Sequence, residues 1–142
     1  MAFKYALSAE QQTPTSDSKV VLCKSFKIDI AAGSGFTTAT AYALGWLPKD
    51  AQVVAAQIVT PTAVSGGTVS VATLAVTVAG NSVVSGINVF AAGSAGMNTG
   101  GYYGSGGGFQ ATTTDQAITY TPTLTGANAT AGIIYINLQY VV

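Results

Sequence analysis

Few side chains of this 142-residue chain could carry out catalysis. The chain has no histidine, the commonest general base and metal ligand in proteins. A Ser-His-Asp or Cys-His arrangement therefore cannot form within one chain. Asp17 and Asp29 would make a glycosidase-type carboxylate pair only if the fold brought them together. We interpret both as solvated strand ends, and we expect no enzymatic activity, no cofactor and no metal site.

The other candidates for chemistry are a lone thiol and a glycine-rich run. Cys23 has no partner for a disulfide within the chain, and we expect a small half-buried thiol rather than a nucleophile. The run at residues 93–108 contains no lysine and no Gly-x-x-x-x-Gly-Lys-Ser/Thr pattern, so it is not a phosphate-binding loop. We interpret it as a surface loop, or alternatively as a contact loop with apolar anchors.

With catalysis and phosphate binding set aside, contact with a partner is the remaining role for the larger side chains of the chain. Aromatic side chains bury a large area with few rotatable bonds, and methionine adapts to irregular surfaces, which suits both to interfaces. The partner-contact candidates from the sequence are Phe3, Tyr5, Trp46, Met97, Tyr102, Tyr103 and Phe109.

Charged residues are scarce and unevenly placed. They make up 7% of the chain, against about 25% in a typical protein. Five lysines balance five acidic residues, and all but Asp115 lie within residues 1–50. Neutralising phosphates needs several Lys or Arg side chains, so we expect no nucleic-acid partner. Free monomers usually stay soluble by displaying mixed charges, so we expect this chain to hide much of its surface in an assembly.

The hydrophobic pattern predicts strands. Residues 19–30 and 133–142 alternate between apolar and less apolar positions, as a half-buried strand does. Roughly eight such segments, with turn signals every 8–12 residues or so and no convincing helix, predict an all-β antiparallel β-sandwich of jelly-roll type. The length fits one domain at residues 19–142, in which we expect 133–142 to pair centrally.

Glycine and proline predict where these strands end or change. We expect a turn at residues 45–50, a strand end at Pro61 and a hairpin at residues 65–67. The hydrophobic phase changes near residues 72–73, which predicts a bulge or a bend there. Pro122 favours an edge strand, because proline has no N–H to give to a ladder.

Residues 1–18 form a polar N-terminal arm that carries scattered aromatic side chains. The arm is either a frayed terminus or an anchor that orders on a partner. Residues 1–5 carry no apolar signal-peptide core, and no apolar run approaches the ~20 residues of a membrane helix. We therefore expect no membrane partner.

Two stretches together carry a family resemblance. The first is Tyr-Ala-Leu-Gly-Trp-Leu-Pro-Lys-Asp-Ala-Gln-Val-Val at 42–54; the second is Tyr-Thr-Pro-Thr-Leu-Thr-Gly at 120–126 with Thr-Ala-Gly at 130–132 and the strand at 133–140. Over residues 40–142 the chain resembles small structural proteins of tailed bacteriophages, in particular head decoration (cement) proteins. The resemblance implies a jelly-roll sandwich, commonly a homotrimer, on the capsid exterior. There it would bridge major capsid subunits and stabilise the virion against internal DNA pressure, without an active site.

Two other functions remain open from the sequence. One is a carbohydrate-binding or adhesin module, such as a fibre tip, in which Trp46, Tyr102 and Tyr103 would stack on a glycan. The other is a tail or baseplate structural piece with the same fold, which the sequence does not separate from a capsid protein.

Overall fold

The computed structural model describes residues 20–91, 93–99 and 114–142, and these ranges hold eight β-strands. In chain order the strands are β1 (Leu22–Asp29), β2 (Tyr42–Leu47), β3 (Gln52–Ser65), β4 (Val71–Val78), β5 (Asn81–Asn88), β6 (Gly93–Thr99), β7 (Gln116–Thr125) and β8 (Ala131–Val141). Within the described ranges, no helix has the length and apolar character needed to cross a membrane.

The strands form two antiparallel four-stranded sheets, in the orders β1-β8-β3-β6 and β2-β7-β4-β5. The first strand pairs with the last, and pairing continues inward as β2 with β7, β3 with β6 and β4 with β5. These four pairs lie alternately in the first and the second sheet. Within the first sheet β3 also pairs with β8, and within the second sheet β4 also pairs with β7. This folded-over long hairpin is the double Greek key of a jelly roll, so the predicted jelly-roll-like sandwich of about eight strands is confirmed.

The core lies between the two sheets and is built by simple alternation. In β8, Ile134, Ile136 and Leu138 are fully buried, while Tyr135 and Gln139, which alternate with them, are exposed and Asn137 is half-buried. Each fully buried aliphatic side chain of this kind stabilises the fold by roughly 1.5–3 kcal/mol. β8 lies between β1 and β3, so its predicted central position is confirmed.

The predicted turn at residues 45–50 is wrong in its first half, because residues 45–47 belong to β2. The β2–β7 register shifts between Ala43 and Gly45, which leaves Leu44 as an extra, bulged residue. A Cβ atom at Gly45 would lie 3.1 Å from the Phe26 ring. The glycine therefore serves a close approach between the two sheets rather than a chain reversal. The turn itself is made at Lys49 and Asp50.

Both proline predictions are wrong as well. β3 continues through Pro61. Its register with β8 shifts between Val59 and Thr62, so Pro61 lies at an irregularity where no regular backbone hydrogen bond to β8 is needed. Pro122 lies in β7, which is an interior strand. Pairing with β2 ends at Tyr120, and beyond it the Ala39 N–H donates to the Pro122 carbonyl at 2.8 Å. Beyond Tyr120, β7 is therefore flanked on that side by the loop around Ala39 instead of by a strand, and Pro122 lies at this local edge.

Three further predictions from the sequence differ from the structure. Residues 66–70 join β3 to β4 across the two sheets, so the predicted hairpin at 65–67 is wrong. β4 pairs with β7 without a register shift from Val71 to Val78, so no bulge separates residues 72 and 73 in this ladder. Residues 93–99 form strand β6 rather than a loop, whereas 100–108 lie outside the described residues.

Candidate interaction surfaces

A cleft opens between the edge strands of the two sheets, β1 and β2. It has a volume of about 360 Å³, and its lining includes Phe26, Tyr42, Leu44 and Tyr120. The rings of Tyr42 and Tyr120 stack with centroids 5.2 Å apart and planes at 26°. The cleft therefore presents a firm aromatic wall beside two strand edges.

Hydrogen bonds to the loop at residues 34–37 hold both tyrosines in place. The Tyr120 hydroxyl donates to the Gly35 carbonyl at 2.6 Å, and the Thr37 N–H donates to the Tyr42 hydroxyl at 3.0 Å. A Cβ atom at Gly35 would lie 2.1 Å from the Tyr42 ring, so only glycine fits there. Burial, together with the neighbouring Tyr42, raises the pKa of Tyr120 above its ordinary value. The neutral, hydrogen-bonding phenol is thus the form that this site favours.

Trp46 lies at the end of β2 beside the start of β1. Its indole is on the outer face of the second sheet, because its partner Ala117 alternates with the buried Gln116 and Ile118. The side chain is 58% exposed. Lys24 crosses from β1 and donates a hydrogen bond to the Trp46 carbonyl. This contact fixes the two strand edges together next to an exposed tryptophan.

Other exposed apolar side chains lie at this end of the molecule, which we call the Trp46 corner (Val20, Val21, Leu22, Trp46 and Val142). All five are among the large exposed hydrophobic side chains of the described residues. Leu22 pairs with Tyr140, so the β1–β8 register brings the start of β1 to the end of β8. Clusters of this kind on a soluble protein mark contact surfaces.

A smaller apolar pair lies at the opposite end of the second sheet. Val71 and Phe90 are both exposed, and they are neighbours because the register pairs Thr73 with Asn88. Phe90, which follows the end of β5, therefore offers a matched comparison for Trp46: an exposed aromatic residue away from the corner.

Charge is almost absent from the sheets. Only β1 contains lysine or acidic residues, namely Lys24, Lys27 and Asp29; the other seven strands contain none. Lys27 and Asp29 form an exposed ion pair at 3.5 Å. The outer face of the second sheet carries hydroxyls instead, among them Thr77 and Thr119, whose oxygens lie 2.6 Å apart. A partner could cover this face without stripping water from charges.

The structure places two of the seven contact candidates from the sequence. Trp46 is exposed, as a contact residue must be, and Met97 belongs to β6, where its backbone pairs with Gln57. The remaining five, Phe3, Tyr5, Tyr102, Tyr103 and Phe109, lie outside the described residues, as does the arm at 1–18.

The sequence did not indicate the aromatic cleft. Tyr42 and Tyr120 are 78 positions apart, and only the pairing of β2 with β7 brings them opposite each other. Phe26 comes from the other sheet. Gly45 was a hint to the cleft in the sequence, because its lack of a side chain leaves room for the Phe26 ring. From the sequence alone, however, this glycine was interpreted as part of a turn. In the part of the chain that is described, no three His, Cys, Asp or Glu side chains are grouped so as to hold a metal ion.

Comparison with known proteins gives matches by structure alone. No protein family and no curated protein matches the sequence. A chain of the cyanophage Pam1 capsid asymmetric unit superposes with a TM-score of 0.63 at 19% identity, over 97% of this chain and 99% of that one. A chain of the capsid of Ralstonia phage GP4 gives 0.61 at 21% identity, over 91% and 89%.

The chain shares its fold with both of these chains. Because the match spans nearly the full length of each partner, the shared unit is the entire jelly roll rather than a common hairpin. At these identities the likeness concerns the fold, and residue roles do not transfer from it.

Proposed function

We propose that this protein is a structural protein of a phage particle, which decorates the outside of the capsid and stabilises it by bridging major capsid subunits. The observation that carries the proposal is the jelly roll shared along 97% of the chain with a chain of the cyanophage Pam1 capsid asymmetric unit. The likeness to a chain of the Ralstonia phage GP4 capsid supports it independently.

The proposed mechanism is mechanical. A subunit bound across a junction between capsid subunits adds interface area that must be broken before the shell can open. Seven strands without charged residues suit this role, because burying them costs no desolvation of ions. The role needs no catalytic group, cofactor or metal ion.

The Trp46 corner is the contact surface that the structure favours. Tryptophan at the centre of an apolar patch is the commonest kind of binding hot spot. Lys24, Lys49 and Asp115 lie around it, since the Lys49 N–H donates to Asp115 at 3.3 Å and Lys24 binds the Trp46 carbonyl. An apolar centre with a polar rim is the usual anatomy of a protein interface. Homotrimer formation is part of the proposal, as are contacts made by Phe3, Tyr5, Met97, Tyr102, Tyr103 and Phe109.

Binding to shells tests the proposal. The purified protein is mixed with expanded capsids of its phage that lack it, and separately with free major capsid protein, and each mixture is sedimented. We expect binding to shells alone, and a higher melting temperature of the decorated particles. Trp46→Ser should weaken binding at least about tenfold, while Phe90→Ser, its matched control, should not. A protein that ignores expanded capsids contradicts the proposal.

Glycan binding is a second candidate, which the exposed indole of Trp46 favours. Exposed tryptophan rings can stack on the apolar faces of sugars. A glycan array probed with the wild-type protein and with Trp46→Ser separates the two functions. Hits that disappear in the variant would support an adhesin role, and an array without hits would remove it.

A further inference from the structure

Lys24 occupies a position of β1 at which an apolar side chain is expected. Alternation along the strand places it on the same side as Phe26 and Ile28, which pack in the core. Cys23 and Ser25 lie on the opposite side and are exposed. A lysine on the core side buries its four-carbon stem and keeps its ammonium group at the edge, and Lys24 is accordingly half-buried.

The ammonium group of Lys24 is bonded to the strand that carries Trp46. It crosses from the first sheet to the second and donates a hydrogen bond to the Trp46 carbonyl. Because β1 and β2 are the end strands of their sheets, this bond bridges the open side of the sandwich. Lys27 lies on the outer side of β1 and forms its ion pair with Asp29. The two lysines of this strand carry the same charge but have different partners.

The backbone at Trp46 needs an additional restraint, because this part of β2 is short and has one neighbour. After the bulge at Leu44, only Gly45 to Leu47 are paired with β7. Among the described residues, no strand pairs with the other edge of β2. A strand end with so few backbone hydrogen bonds opens easily. Lys24 adds a bond from the other sheet at the middle of this three-residue segment.

The turn that follows Trp46 is held by a different residue. Gln116 is buried, and its side-chain amide donates to the carbonyls of Pro48 at 3.1 Å and of Ala51 at 2.8 Å. These two bonds fix the backbone after β2, whereas the Trp46 carbonyl itself is bonded to Lys24. The restraint on the turn and the restraint on the tryptophan can therefore be removed separately.

We propose that Lys24 is the positioning residue of the Trp46 corner. Its bond to the carbonyl holds the backbone of Trp46, and with it the exposed indole, in the orientation that contacts a partner. The inference rests on the contact role proposed for Trp46. A side chain that is ordered before binding loses less conformational entropy when the partner arrives, so a held indole binds more tightly than a mobile one.

Fluorescence of the isolated protein tests whether Lys24 orders the indole. Trp46 is the only tryptophan of the chain, so time-resolved anisotropy reports on this side chain alone. Lys24→Met keeps an apolar stem but removes the ammonium group, and Lys24→Leu is a second, more compact replacement that should give the same result. The matched control, Lys27→Met, removes the same charge from the outer side of the same strand.

We expect the amplitude of fast local rotation of the indole to increase at least about twofold in Lys24→Met and to keep its wild-type value in Lys27→Met. Urea unfolding identifies the conditions under which each variant is folded, so that the comparison concerns native proteins. An unchanged amplitude in the Lys24 variants, or an equal increase in the control, would overturn the proposal.

Binding to expanded capsids tests whether Lys24 acts through Trp46. We expect Lys24→Met to weaken binding at least about fivefold and Lys27→Met to change it less than about twofold. In a Trp46→Ser background, Lys24→Met should have an effect of less than about twofold, because the side chain that it positions is gone. Equal losses in both backgrounds would show that Lys24 contacts the shell directly, and would overturn the proposal. Wild-type protein that does not bind shells contradicts the proposed function instead, and the anisotropy still decides whether Lys24 orders the indole.

Discussion

Ala79 has an unfavourable backbone conformation for its residue type. Ala79 and Gly80 form the two-residue loop between β4 and β5, with φ of 51° and 83°. Two positive φ angles define a type I′ hairpin turn, for which Asn-Gly is the preferred sequence. A residue with a Cβ and no polar side chain is strained there, because the Cβ crowds the following carbonyl.

Replacing Ala79 by Asn should therefore stabilise the protein by about 0.5–1 kcal/mol, since Asn tolerates this conformation far better than Ala does. Urea unfolding measures the change. Ala31→Asn is the matched control, because Ala31 is exposed and has no positive φ; a surface change of this kind should stay within about 0.5 kcal/mol. Equal effects at both sites would refute the turn assignment.

Tyr120 should make stability depend on pH in the alkaline range. Its pKa is raised in the folded state by burial and by the neighbouring Tyr42, above an ordinary value near 10.0. The folded state therefore holds this proton more tightly than the unfolded state does. The stability is fully present below the unfolded pKa and is lost as pH rises through the folded one.

Tyr120→Phe removes this titrating group together with the hydrogen bond to the Gly35 carbonyl. We expect a loss of roughly 1 kcal/mol at neutral pH, and a smaller decline of unfolding free energy above pH 10 than in the wild type. Denaturant titrations of both proteins from pH 7 to pH 11 check this. Parallel declines in the two proteins would show that the alkaline dependence arises elsewhere.

At the scale of strands, alternation in the sequence was a reliable guide and glycine and proline were not. The faces of β1 and β8 follow directly from their period-2 pattern, because each strand covers the core with one side. Gly45, Pro61 and Pro122 look like strand ends in the sequence, yet all three lie within strands. Each is accommodated by a long-range partner: the Phe26 ring, a register shift against β8, and the Ala39 N–H. Local sequence rules contain no information about such partners.

Replacing Gly126 should show how closely the β7–β8 loop approaches the connection between β3 and β4. Its φ is +97°, and a Cβ atom there would lie 2.0 Å from the Thr68 carbonyl oxygen. Gly33 has a similar φ of +106° but open space around it. We expect Gly33→Ala to cost about 1 kcal/mol from backbone strain alone, and Gly126→Ala about 2–4 kcal/mol, because strain and a backbone clash add there.

Thermal or urea unfolding of these two variants compares strain with strain plus contact. Equal losses would mean that the β7–β8 loop moves away from Thr68 at little cost.

At the scale of the whole molecule, the sequence predicted a jelly-roll-like sandwich of about eight strands, but not which residues pair with each other. The pairings that define the jelly roll join distant residues, for example Leu22 with Tyr140 and Tyr42 with Tyr120. No local signal specifies them, since many strand orders satisfy the same alternation. The aromatic cleft depends on these pairings, so it was not predictable, whereas an exposed Trp46 could be proposed from its residue type.

The scarcity of charge leads to the last prediction, which concerns binding to shells under the proposed function. Raising NaCl from 0.1 M to 1 M shortens the screening length from about 10 Å to about 3 Å, which weakens contacts between charged surfaces. Seven of the eight described strands have no charge to screen. We therefore expect the affinity for expanded capsids to change less than about tenfold over this range.

Two matched variants identify the sheet that contacts the shell. Ser25→Lys places a charge on the outer face of the first sheet, and Thr123→Lys places one on the outer face of the second; both positions are exposed. A lysine in the contact face must lose bound water when the shell covers it, so it should lower affinity at least about tenfold and make binding salt-dependent. A lysine on the other face should change neither. Wild-type binding that falls steeply with salt would contradict contact through the seven uncharged strands and would assign it to the lysines of β1.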